Sequence, residues 1–218
     1  MTRAYDPGIP PAPVVIDHDA DPVHADAPVP DPLALAAEWL PAPGEDRMLM
    51  TVSTIGLDGV PDARTTMLSD FDGARFFFHT DAHSRKVAEI AANPAVALTL
   101  LWPGFTRQLV VQGTAQPSPR EESDEAYRSR SFYLQQLAWQ NTAEFARLPQ
   151  VDRRAGWEEF LLAHGGPERP AFDPPERWAG FAVTPHRLVF WTSHPSAASR
   201  RLAYTRSGEE WETIALPG

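Results

Sequence analysis

The sequence predicts a mainly β fold with peripheral helices, an antiparallel barrel that is closed or partly closed, and three observations carry that reading. Between Met48 and Ala115, five runs rich in Val, Ile, Thr and Phe are separated by short turns and one short helical pattern, too little helix for βαβ repeats. Further runs of the same kind close the chain after a proline-rich loop. The long helical stretch, Pro117 to His164, stands between these β blocks instead of alternating with them. With 218 residues, 43% hydrophobic content, seven Trp and eleven Phe, the chain fills a single domain, expected over residues 31–218, and no second full domain.

In chain order, residues 1–30 are dominated by Pro, Asp and Ala without apolar periodicity and read as an irregular arm, either a lid or disordered. His18 and His24 lie there among aspartates, but an arm without helix or strand fixes no ligand geometry, and no metal site is expected. Asp31-Pro32 then reads as an N-cap followed by proline at the first helical position, with Leu33, Leu35, Ala36 and Leu40 forming an apolar face that Pro41 ends. From Met48 the period changes. L-M-T-V-S-T-I, V-P-D-A-R-T-T-M-L and A-R-F-F-F-H-T, divided by turns at Gly56–Gly59 and Asp70–Gly73, predict an antiparallel meander of three strands. S-R-K-V-A-E-I-A-A-N-P places Val87, Ile90 and Ala91 at helical spacing and stops at Asn93-Pro94. A-V-A-L-T-L-L-W and R-Q-L-V-V-Q-G-T-A are the next strands. After the helical stretch and the loop G-G-P-E-R-P-A-F-D-P-P-E-R-W, strands return at F-A-V-T-P-H-R-L-V-F-W, and the last two form a hairpin at Ser207-Gly208.

Composition narrows the function. A net charge of −10 disfavours nucleic acid, whose phosphates need cations spread over a surface. Without cysteine there is no disulfide, thiolate nucleophile or Cys-based metal site, and no apolar run approaches the roughly 18 residues of a membrane span, so a cytoplasmic protein with no membrane partner is expected. The cations that remain are local. Arg64 opens one strand-like run, and Ser84-Arg85-Lys86 sits where a helical pattern begins, so cations and helix N-terminal amides can converge on one anion. Lys86 is the only lysine beside 18 arginines. The same residues also fit an ordinary solvated charged face, and spacing alone does not choose.

The order and spacing of A-R-T-T-M-L, F-H-T, S-R-K, N-P, W-P-G-F-T-R-Q, V-Q-G, P-P-E-R-W-A-G and R-L-V-F-W resemble the pyridoxamine 5′-phosphate oxidase family, from about Asp31 to the C-terminus. The resemblance implies an FMN-binding split barrel, a homodimer with the flavin between subunits, and a C-terminal dimerisation region over 178–218. It carries the flavin site onto Arg64, Thr65, Thr66, Met67, Leu68 and Ser69, then His79 and Thr80, where the family more often has Tyr-Thr, then Ser84, Arg85 and Lys86, and finally Gln108, Trp191 and Arg201. The residue types suit the chemistry: cations and hydroxyls for a phosphate, an amide for the pyrimidine edge, a cation near the ring to favour anionic reduced flavin.

The vitamin B6 substrate site departs from that pattern. Ser69 stands where those oxidases place a lysine, and A-A-S-R-R (Ala197 to Arg201) replaces R-L-H-D-R. In the helical stretch Tyr127 and Arg130 remain, Tyr127 displaced by one position, while Leu134 and Leu137 replace a serine and a glycine, and no Gln-Ser pair is evident after Trp139. Each lost charge-assisted contact to a phosphate costs about 1.5–3 kcal/mol. The expectation is therefore an FMN-dependent oxidoreductase of secondary metabolism, with oxygen as electron acceptor and a small dihydro-aromatic or amine substrate near Tyr127, Arg130, His194 and Ser199; its catalytic residues are unassigned. The alternatives are a true pyridoxamine/pyridoxine 5′-phosphate oxidase with a rearranged site, a non-catalytic flavin-binding module and a deazaflavin-dependent reductase, the last disfavoured by the C-terminal region.

Overall fold

The computed structural model describes residues 16–41, 48–166 and 172–218. The first half of the predicted arm and part of the proline-rich loop lie outside these residues. The described chain forms two compact units, one of His79–Val87 and Pro117–Gly180, the other of the residues up to Phe78 with Ala88–Gln116 and Phe181–Gly218.

The larger unit is the antiparallel barrel sheet. Helix α1 (Pro32–Trp39) starts as the sequence predicts: Leu33 N donates to Asp31 Oδ1 at 2.9 Å and proline occupies the first turn. Its buried face ends in Trp39, which meets Trp102 and Phe190 edge-on at 5.6 and 5.0 Å. Strands β1 (Leu49–Ile55) and β2 (Pro61–Met67) form a hairpin in which Gly59, at φ 81°, takes the left-handed turn position that glycine adopts without steric cost. Strands β3 (Asp70–Phe71) and β4 (Phe76–Asp81) follow, then β5 (Ala95–Leu101), β6 (Arg107–Pro117), β7 (Trp178–Thr192), β8 (Arg200–Ser207) and β9 (Glu210–Pro217). The order is β2-β1-β5-β6-β7-β4-β3, with β8 on β7 and β9 on β8. Register aligns the inward residues: Met50 faces Leu100, Leu100 faces Leu109, and Leu98 faces Val111, all buried.

The three-strand meander is corrected here. β1 and β2 pair as predicted, but β4 pairs with β3 and β7 and does not extend the hairpin. The reason is burial. Phe76, Phe77, Phe78 and His79 are all buried, so both faces of β4 need cover that the edge of a two-stranded hairpin cannot give. The turn also moves, to Asp72–Arg75, where the Asp72 carboxylate accepts from the amides of Ala74 and Arg75. β7 continues for 15 residues through Pro185, which lies two residues before its pairing with β8 begins at Arg187.

Residues 16–30 have no helix or strand, yet they are held. Asp21 is buried and accepts from Arg107 Nε and Nη2 at 3.0 and 2.7 Å; Val23 is fully buried; Tyr204 Oη donates to the Val29 carbonyl.

The smaller unit contains the end of β4, the start of helix α2 (Arg85–Ala92), and helices α3 (Arg120–Arg128), α4 (Phe132–Gln140), α5 (Ala143–Arg147) and α6 (Gln150–Ala163). Its core is Tyr127, Phe172 and Trp178, with Ala138, Trp139, Phe160 and Leu161 around them. Burial pushes the Tyr127 phenol up to about 12, and its hydroxyl donates to the Gln135 carbonyl. No helix of the described residues is long and apolar enough to cross a membrane.

Candidate functional site

The sequence-predicted residues fall into two groups, one in each unit. In the smaller unit, β4 ends in Thr80-Asp81 and the turn over 82–84 leads into α2. The turn is fixed by His83 N donating to Asp81 Oδ1 and by Arg177 Nε, 3.1 Å from Asp81 Oδ2. That geometry gathers three candidates. Lys86 Nζ donates to Thr80 Oγ1 at 2.8 Å and to Ser84 Oγ at 3.2 Å, and the two hydroxyls are 3.4 Å apart. An ammonium and two hydroxyls converge at the N-terminus of α2, with Arg85 exposed beside them. The donor set suits a phosphate: one fixed cation, two hydroxyls, and amides that an anion stabilises.

His79, the neighbour of Thr80, points to the other side of the strand. It is buried, its ring stacks on Trp178 at 5.4 Å and 8°, and its Nε2 lies 3.2 Å from both carboxylate oxygens of Glu122. Burial works to raise the Glu122 carboxyl, but hydrogen bonds and charge from His79, helped by Ser118 and Ser123, outweigh it and hold the group below its usual range. Gly180 makes the space: a Cβ there would stand 2.5 Å from Ser123 Oγ and 2.8 Å from the His79 ring. Of the substrate candidates in this unit, Arg130 lies over the Trp178 ring at 4.4 Å and Tyr127 meets the same ring edge-on at 5.7 Å. An open cleft of about 620 Å³ between α4, α5 and α6, lined by Leu137, Gln140, Phe145, Arg153, Arg154 and Trp157, shares no residue with the Lys86 cluster.

In the larger unit, Arg64 is committed to protein partners. Its Nη2 is 2.7 Å from Glu89 Oε2 and 2.8 Å from Asp62 Oδ2, and Nη1 donates to Thr54 Oγ1 at 2.6 Å. Glu89 is fully buried and also accepts from Thr54 Oγ1. Thr65 and Thr66 continue β2, Leu68 is buried, and Ser69 N donates to the Phe77 carbonyl. Trp191 and Arg201 are direct cross-strand partners on β7 and β8, half-buried and exposed on one face. Gln108 is half-buried on β6, opposite Leu101 and just after the turn Pro103–Phe105, where Phe105 has φ 57°, the only non-glycine positive φ among the described residues. His194 belongs to a ring cluster with His18 and His24, at centroid distances of 5.7 and 4.9 Å, and both arm histidines reach the Ser193 carbonyl. Ser199 pairs with the chain end through its carbonyl, which accepts from Gly218 N. Among the described residues, no group of three or more His, Asp or Glu is placed to hold a metal ion.

Sequence reading missed Glu122, Glu89 and Asp21 as partners of His79, Arg64 and Arg107. The available signal was Glu89, an acid next to Ile90 on a short helix.

Two family models match the chain: "Pyridoxamine 5'-phosphate oxidase" over residues 41–158 and "Pyridoxine 5'-phosphate oxidase C-terminal dimerisation region" over residues 178–216. Among curated relatives, a pyridoxine/pyridoxamine 5′-phosphate oxidase of Caulobacter vibrioides is 36% identical over 193 residues, covering 85% of this chain and 84% of its own. One from Thermosynechococcus vestitus is 35% identical over 169 residues, covering 77% of each. Among solved structures, PhzG from Burkholderia lata 383 in complex with tetrahydrophenazine-1-carboxylic acid superposes with a TM-score of 0.72 at 25% identity, over 88% of this chain and 95% of that one. A pyridoxamine 5′-phosphate oxidase-related, FMN-binding protein of Nostoc punctiforme shares the fold, with a TM-score of 0.53 at 18% identity over 78% and 88% of the two chains.

Proposed function

Because the chain belongs to the pyridoxamine 5′-phosphate oxidase family, we propose that it is a homodimeric FMN-dependent oxidase of a small dihydro-aromatic or amine substrate, with oxygen as electron acceptor. The observation that carries the cofactor is the cluster of Lys86, Thr80 and Ser84 at the N-terminus of α2, a preformed cradle for a phosphate. FMN, when bound, would supply the redox chemistry as hydride acceptor for the substrate.

The chain's own residues bind and orient. Lys86 neutralises phosphate charge while Thr80 and Ser84 hold the ammonium in place, so little side-chain entropy is lost on binding. Gln108 would offer an amide donor and acceptor to the polar edge of the ring, and Arg201, standing beside Trp191, would supply positive charge near it. Arg64, with Glu89 and Asp62, anchors the strand that carries Thr65 to Met67 and leads into Leu68 and Ser69. The match of 178–216 to a dimerisation region supports the homodimer, as do exposed Leu49, Leu57, Val60 and Leu101 on the larger unit.

The substrate class rests on Ser69, Leu134, Leu137, Ala197 and Ala198, which remove charge where a B6 phosphate would need it, and on the tetrahydrophenazine carboxylic acid bound by the PhzG neighbour. A second reading, a pyridoxamine/pyridoxine 5′-phosphate oxidase, is favoured by retained Tyr127 and Arg130 and by the relatives' activity. Hydrogen peroxide production separates them. The FMN-loaded protein is expected to release peroxide with a dihydro-aromatic carboxylic acid and to be orders of magnitude slower with pyridoxamine 5′-phosphate; the reverse order establishes the second reading.

A further inference from the structure

The cleft between α4, α5 and α6 has no part in the flavin reading. Its volume of about 620 Å³ falls within the roughly 300–1,000 Å³ of small-molecule sites. The fold braces its walls. Two buried amides of α4 reach the backbone of α6: Gln136 Nε2 donates to the Trp157 carbonyl at 2.7 Å, and Gln140 Nε2 donates to the Gly156 carbonyl at 2.9 Å. Gln136 Nε2 also donates to Gln140 Oε1 at 2.8 Å, so the two amides hold each other. Gly156 lets α5 come close, since a Cβ there would stand 3.1 Å from the Phe145 ring, and Thr142 caps α5 by accepting from Phe145 N at 3.1 Å. Walls tied to one another in this way keep the cleft open in advance, and a ligand finds them already ordered.

The lining is divided by chemistry. Leu137, Phe145 and Trp157 are half-buried and present flat apolar surface, with the Trp157 ring held by Tyr133 at 5.5 Å. Arg153 and Arg154, early in α6, are exposed at the same cleft, and neither forms a salt bridge among the described residues. Glu158, one turn after Arg154, is the single acid of the described lining, so two arginines against one glutamate leave one positive charge in a chain of net −10. Guanidinium groups both pair with a carboxylate and stack on a ring, which suits an anion that carries its own flat apolar surface. We propose that this cleft binds a planar aromatic carboxylate, its ring against Trp157 and Phe145 and its carboxylate on Arg153 and Arg154. A small inorganic anion would use the arginines and leave the aromatic surface wet; a neutral ring would leave the arginines unused.

The test is isothermal titration calorimetry of 2-naphthoate into the full chain with excess FMN present, at about 0.1 M salt. One molecule per chain is expected, with Kd on the order of 0.1 mM, the range that a ligand of this size reaches in an open cleft. 2-Naphthalenemethanol, which lacks the charge, and cyclohexanecarboxylate, which lacks the flat ring, should each bind at least about fivefold more weakly. The double variant Arg153→Met, Arg154→Met should weaken 2-naphthoate about tenfold and leave 2-naphthalenemethanol unchanged, whereas Trp157→Leu should weaken both. Lys86→Met should alter neither. The two arginines are exposed, so the double variant keeps the fold and decides the matter alone if Trp157→Leu does not fold. No saturable binding up to about 5 mM, equal 2-naphthoate affinity in wild type and the double variant, or inorganic phosphate that binds as tightly as 2-naphthoate overturns the inference. A chain that takes up no FMN yet binds 2-naphthoate in the expected pattern overturns the flavin reading and leaves this inference standing.

Discussion

Replacing Glu89 by alanine tests how the candidate cofactor strand is anchored. Glu89 is fully buried, while the Arg64 side chain is 20% exposed and keeps Asp62 as a second partner at 2.8 Å. Glu89→Ala therefore strands no charge outright. It removes one charged hydrogen bond, worth about 1.5–3 kcal/mol, and leaves the Thr54 hydroxyl without that acceptor, about 1 kcal/mol more. The sum is about 3 kcal/mol, or about 6–12 °C in Tm for a chain of this size. Arg64→Met is the harsher change, because it leaves a fully buried carboxylate without its cation, and about 3–5 kcal/mol is expected. Urea unfolding followed by circular dichroism measures both, with the double variant closing the cycle; a coupling of about 2 kcal/mol is expected. Costs below about 0.5 kcal/mol for either single change, or a larger loss for Glu89→Ala than for Arg64→Met, would refute the reasoning.

Other tests are shorter. Lys86→Met removes the one cation held by Thr80 and Ser84, and FMN should bind about 10- to 100-fold more weakly by fluorescence titration, with riboflavin affected less. Gly180→Ala drives a methyl into Ser123 and the His79 ring and should cost about 1–3 kcal/mol in urea unfolding, whereas Gly73→Ala, with open space around it, strains only a turn at φ 88°. Glu122 has a carboxyl held below its unfolded value of 4.5, so its stabilisation is complete above that pH and is lost as pH falls further; the Tm difference between wild type and Glu122→Gln should shrink on acidification below it. Tyr127 and Tyr204 are both pushed up to about 12 by burial, so ultraviolet titration of the folded protein should leave these two phenols largely un-ionised at about pH 11, and urea should release them.

Local signals were legible and long-range ones were not. Asp31-Pro32, the Gly56–Gly59 turn, Asn93-Pro94 and the Ser207-Gly208 hairpin each specify an element within a few residues, and each element starts or stops there. Strand partnership is set by what covers each face, and nothing near Phe76–Phe78 announces that β7, a hundred residues later, covers it. The same distance hid Glu122 from His79 and Asp21 from Arg107, since an acid in a helix's first turn or in an acidic arm looks solvated until the fold removes water from it. Among the expected flavin-site residues, Ser84 and Lys86 were read from their place at a helix start and Thr80 from the family resemblance; the structure brings these three side chains together because only four to six residues across one turn separate them. Arg64 read as an anion ligand from its type, and the structure adds two carboxylates beside it.

The central claim is that this chain cradles FMN at the start of α2, and the direct measurement is the visible absorption of the purified protein before and after FMN is added and excess removed. The account predicts a yellow protein with about one FMN per chain, its flavin fluorescence quenched, and a marked loss of retained flavin in Lys86→Met. A colourless protein that retains no added FMN, or one that holds it equally well without Lys86, would contradict it.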